Sequence, residues 1–198
     1  MASSKSESLH IGFMTALGIP ERNFVAGLLI TNRFGRPLEF QCTTPIKPNR
    51  TQEILYGPTL VPFILGELIS KALIQKVSIK PTLVVTDHLE IHELRNHVDV
   101  PVICLAESDD DSNKADPLMG VGEVTRIGQL INNEDQTEAS ETSVTVGQHV
   151  FAVHPEHISD WQLVSESLRL LNHCEPDFVE PLERVREALA ETVNLAAA

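Results

Sequence analysis

Apolar residues recur along the chain with two spacings, and the switches between them lay out the predicted elements. Leu9 to Leu17 is an apolar run closed by Gly18-Ile19-Pro20, and Phe24 to Thr31 is a second run, partly β-branched. Both read as strands. Asn32-Arg33-Phe34-Gly35-Arg36-Pro37 supplies turn residues, with Gly35 free to take a positive φ. Leu38 to Thr43 then alternates apolar and polar side chains, as a strand with one wet face does. Together these segments predict an antiparallel hairpin.

Beyond Pro45 and Pro48 the period lengthens. Thr51 to Tyr56 is expected to make one or two helical turns and to break at Gly57-Pro58. Thr59 is the expected N-cap of the next helix, in which Leu60, Ile64, Leu65, Leu68, Ile69, Ala72 and Leu73 recur at helical spacing. Pro81 to Thr86 and Val100 to Ala106 are short, continuous apolar runs on either side of a short helix over His88 to Asn96. Parallel strands covered by helices on both faces have this pattern.

Val121 to Ile131 and Val144 to Val153 are expected as two more strands, joined as a hairpin through the polar stretch Asn132 to Ser143. Two helices close the chain. Ser159 and Gln162 have capping-box spacing ahead of a stripe of Trp161, Val164, Leu168 and Leu171. The last helix begins near Asp177 or Pro181, with Phe178, Leu182, Val185 and Leu189 on one face. Glu183, Arg184, Arg186, Glu187 and Glu191 occupy its other, solvated face.

The expected fold class is α/β: a mixed β-sheet with an N-terminal antiparallel hairpin, a βαβ centre and two C-terminal helices. One domain spans residues 9–195 between tails at 1–8 and 196–198, with mobile acidic loops near 107–116 and 132–143. A chain of 198 residues is long enough to bury a full core. Aromatics are only 5% of the residues, so that core must be built from Leu, Ile and Val.

Charge narrows the classes of partner. Fifteen Lys and Arg stand against 28 Asp and Glu, a formal charge of −13. Such a surface repels phosphate backbones and anionic membranes, so neither nucleic acid nor a membrane is an expected partner. Cys42, Cys104 and Cys174 are scattered and fit no paired framework, and the first residues lack an apolar signal segment. Both features point to a cytoplasmic, reducing setting.

Three groups of residues carry candidate chemistry. Asp87, His88 and Glu107 follow the two expected parallel strands, where open α/β sheets collect ligands. If those strands are neighbours, the carboxylates of Asp87 and Glu107 approach one another and suit a divalent ion such as Mg²⁺. The ordinary alternative makes Asp87 a helix cap and the acidic run solvated. The second group is His88 and His92, one helical turn apart on the expected helix, as in helical zinc sites. Leu89 stands where the HExxH motif places Glu, so a third ligand would come from His154, His157 or a carboxylate.

The third group is a docking surface. Tyr56 to Phe63 concentrates the only Tyr, a Phe and two prolines, while Arg33, Arg36, Lys47 and Arg50 form one basic neighbourhood in an acidic chain. No nucleophile elbow and no phosphate-binding loop of the P-loop type is present. Gly27 to Phe40 resembles the central hairpin of roadblock and profilin-like folds, which implies the hairpin and no function. The favoured expectation is a non-enzymatic binding or scaffold protein that acts through a protein partner or self-association. The alternative is a metal-dependent hydrolase of phosphoesterase or nuclease type built on Asp87, His88, His92 and Glu107, with Mg or Zn as cofactor.

Overall fold

The two amino-terminal runs pair as their apolar pattern requires. β1 (His10–Ile19) lies antiparallel to β2 (Asn23–Asn32), in register from His10 opposite Asn32 to Ile19 opposite Asn23. β3 (Pro37–Cys42) pairs with the other side of β2. In the turn between them Gly35 takes φ 73°, and the Asn32 side chain accepts from the amides of Phe34 and Arg36. The computed structural model describes residues 9–19, 23–106, 143–146, 149–169, 171 and 177–197. Glu107, the acidic loop at 107–116, the strand expected from Val121 to Ile131, Cys174 and the tail 1–8 lie outside those residues.

The middle of the chain forms one helical run, α1 (Arg50–Lys76). It starts one residue before the expected turn because Asn49 caps it: Asn49 Oδ1 accepts from the Gln52 amide, and Gln52 Oε1 accepts from the Asn49 amide, both at 2.9 Å. The expected break at Gly57-Pro58 and fresh start at Thr59 do not occur. Thr59 sits at φ −83°, ψ 0°, and its hydroxyl donates back to the Tyr56 carbonyl at 2.8 Å. A 3-10 turn, Gly57–Thr59, therefore carries the helix through, with Gly57 at φ 51°. From Phe63–Ser70 the run is wound as a π-helix, and it ends α-helical at Lys71–Lys76. The run is long and apolar enough to cross a membrane, but Ile64, Leu65, Ile69 and Leu73 are buried against the sheet.

β4 (Leu83–Thr86) and β5 (Val102–Ala106) lie parallel to β1 in the centre of the sheet. Between them run a short α2 (Leu89–His92) and a 3-10 turn, Glu93–His97. A correction concerns Val144 to Val153, expected as one strand. The segment is itself a hairpin, β6 (Ser143–Val146) and β7 (His149–Val153), with Val146 opposite His149. A 3-10 turn at Pro155–His157, α3 (Asp160–Arg169) and α4 (Val179–Ala197) complete the described chain. Asp177 caps α4, its carboxylate accepting from the amides of Val179 and Glu180.

The sheet has seven strands among the described residues, in the order β3-β2-β1-β4-β5-β7-β6. It is the mixed α/β sheet that the sequence pattern predicts. Helices cover both faces. α3 and α4 bury Val164, Leu168, Leu182, Val185 and Leu189 against Phe13, Val85, Ile103 and Phe151. α1 and α2 bury Leu65, Ile69 and Ile91 against Met14, Leu28, Val84 and Val102. Val84 and Val85 thus feed opposite cores, which explains why the central strands read as unbroken apolar runs.

Candidate functional site

The carboxyl ends of β1 and β4 bring Asp87 and His88 to one edge of the sheet, where the first candidate group was expected. Both side chains there have protein partners. Asp87 forms an ion pair with Arg186 of α4. His88 Nε2 is 3.1 Å from the Ala16 carbonyl of β1, and a carbonyl only accepts, so this nitrogen carries the proton. His88 has extended backbone, φ −117° and ψ 123°, and stands ahead of α2 as its N-cap. The one-turn helical relation expected between His88 and His92 therefore does not arise. His88 turns to β1, and His92 turns the other way.

His92 meets the loop that follows β7. Its ring lies edge-on to His154 at a centroid separation of 5.3 Å, and His154 lies 5.6 Å from His157. His154 Nδ1 accepts from the Glu156 amide at 3.3 Å, while Nε2 is 3.5 Å from Glu93 Oε2. Asn96 bridges the group: its Oδ1 accepts from His157 Nε2 at 2.8 Å and its Nδ2 donates to Glu93 Oε1 at 2.9 Å. Next to this cluster, Arg95 holds the buried carboxylate of Asp160 at the start of α3 and also donates to the Val98 carbonyl.

The His92 imidazole is held down to about 4, chiefly by burial and then by repulsion from His154. A hydrogen bond to the Val102 backbone and the charge of Glu93 act in the opposite direction. Its Nε2 is buried and has no hydrogen-bond partner among the described residues. The spacing of His154 and His157 as possible companions of His92 was legible in the sequence; Glu93 and Asn96 were not. Even so, among the described residues no group of three or more His, Cys, Asp and Glu is placed to hold a metal ion. The cluster acts as a polar joint that ties the segment after α2 to the start of α3.

The third candidate group divides. Arg33 and Arg36 sit in the β2–β3 turn, at the end of the sheet where Asn32 opposes His10. Lys47 follows Ile46, which bridges to Phe24 at the opposite end of β2, and Arg50 opens α1 from there. Strands rise ~3.3 Å per residue, so the two pairs of cations are on the order of 25–30 Å apart and make no single basic neighbourhood.

Tyr56 and Phe63 do come together, with rings stacked at 4.4 Å. They sit at a corner where the Leu60–Pro62 stretch of α1 packs on α2. This corner has an unusual surface. The Arg50–Tyr56 stretch buries none of its residues, so Ile54 is 66% and Leu55 is 76% exposed. On α2, Leu89 is 69% exposed. Single exposed apolar residues are commonplace, but these share one corner of the molecule. No family model matches the chain, and no curated protein matches its sequence.

Proposed function

We propose that this chain is a non-enzymatic binding protein that docks a protein partner on the corner formed by the start of α1 and the start of α2. The observation that carries the reading is the Arg50–Tyr56 stretch, which is fully capped yet buries no side chain and leaves Ile54 and Leu55 in solvent. Seven residues are too few for a helix to be stable by itself, so the stretch depends on its continuation into α1 for order. A preformed helical turn carrying bare branched side chains suits docking, because the partner gains apolar burial without having to order the surface. Tyr56 stacked on Phe63 supplies an aromatic anchor of the type that concentrates binding energy.

The test compares the wild-type chain with an Ile54→Ser, Leu55→Ser variant as bait in an extract of its own cells. A partner held by wild type and lost by the variant should then bind the purified wild-type chain directly. Equal melting temperatures for the two baits would show that the fold is intact. Identical capture by both baits would sink the reading.

A further inference from the structure

We infer that the occupant of this corner is a helix with an apolar stripe flanked by Lys and Arg; the inference rests on the docking reading above and names the chemistry of its partner. Size is the first argument. Ile54, Leu55, Tyr56 and Leu89 make a patch on the order of a few hundred Å². A standard subunit interface takes ~800 Å² from each partner, so the patch is too small for that and matches one helix laid across two helix ends.

Charge is the second argument. The chain carries −13, which opposes a second copy of itself. The seam between α1 and α2 beside Leu89 is acidic. Gly66 of α1 lies so close to α2 that a Cβ there would be 2.8 Å from the Glu90 carbonyl. On that seam the carboxylates of Glu67 and Glu93 are 43% and 41% exposed. The nearby cation Arg50 is already paired with Glu53 at 2.9 Å. An incoming helix thus finds apolar side chains bounded by net negative charge. Like-charged rims would reject an acidic helix, and the field of the whole chain would steer a basic one inward.

The experiment is fluorescence anisotropy of the full chain with three synthetic 18-residue peptides. One is an amphipathic Leu/Lys helix, one is its Leu/Glu counterpart, and one is a scrambled Leu/Lys sequence without a stripe. The expected result is saturable binding of the Leu/Lys helix. That binding should be at least tenfold weaker for the Ile54→Ser, Leu55→Ser variant and several-fold weaker for Glu67→Gln, Glu93→Gln. Equal binding of the Leu/Glu helix would overturn the basic partner while leaving the docking surface standing. Equal binding of the scrambled peptide, unmoved by the serine substitutions, would reduce the effect to general polyanion attraction and overturn the inference. If no peptide binds and the wild-type chain is a dimer that the serine substitutions dissolve, the occupant is a second copy. If no peptide binds and the chain is monomeric, both the inference and the docking of a helical partner fail.

Discussion

Arg186 on the last helix holds the carboxylate of Asp87 at the end of β4. A residue that the strand-end pattern marks as a ligand site is thus the clasp that fixes α4 to the carboxyl edge of the sheet. Arg186 is 47% exposed, so solvent screening keeps the pair modest. Asp87→Asn should cost about 1 kcal/mol in urea unfolding. Arg186→Gln should cost a similar amount, and the double variant should cost little more than either single one. Strict additivity of the two losses would show that the pair is not coupled. A rise in melting temperature with Mg²⁺ that Asp87→Asn abolishes would add a metal to the work of this carboxylate.

Arg95 and Asp160 are the buried counterpart of that surface clasp. Asp160 is 5% exposed, and its charge is answered by the Arg95 guanidinium alone among the printed ion pairs. Arg95→Met would leave that carboxylate buried without its cation, at a cost of about 3–5 kcal/mol. Arg95→Lys should recover part of it. Chemical denaturation of the two variants measures the difference, and a loss below that of an ordinary surface change would contradict the assignment.

His92 gives stability a direction in pH. Its folded value of about 4 lies below the ordinary 6.5, so between these limits the unfolded chain takes up a proton that the folded chain refuses. Its contribution is fully present above the upper value and drains away as pH falls toward the lower one. The shift corresponds to about 3 kcal/mol at most. Melting temperature should fall across that window, and His92→Gln should flatten the fall. An unchanged slope in the variant would place the acid sensitivity elsewhere.

Gly66 is where α1 and α2 approach most closely. A methyl group there would meet the Glu90 carbonyl and the Glu93 Cβ, both at 2.8 Å, and backbone cannot step aside cheaply. Gly66→Ala should cost about 1–3 kcal/mol by overpacking, despite the helix propensity that alanine adds. A neutral or stabilising result would mean that the seam is loose.

The sequence was most legible where one periodicity acted alone. β2 and β3 announced themselves by apolar content and alternation, and Leu83-Val84-Val85 read as buried on both faces because it is. The stretch Val144 to Val153 misled because its apolar residues run on across Gly147 and Gln148, and a glycine inside a strand pattern is the one signal of a fold-back. Thr59 misled for a different reason. Its type favours a cap, but Asn49 had already started the helix, and an interior threonine spends its hydroxyl on the preceding turn. Asp87 and His88 were placed correctly at the strand ends, yet their partners Arg186 and Ala16 come from distant segments that no local pattern connects. The bare corner was half visible: Tyr56 and Phe63 stood out by type, whereas Ile54 and Leu55 became notable only once the sheet was seen to leave them uncovered.

The approach of α4 to the first hairpin has a consequence for the order of events during synthesis. A Cβ on Gly27 would stand 3.0 Å from Val185 and 3.1 Å from Leu189, so the two ends of the described chain close on each other with no slack. The hairpin can pair its strands as soon as it is made, because its contacts are local. Its α4-facing side has no cover until the last helix leaves the ribosome. For most of translation the nascent chain therefore presents an apolar, half-finished sheet, and its passage to the native state waits on the final turn of helix.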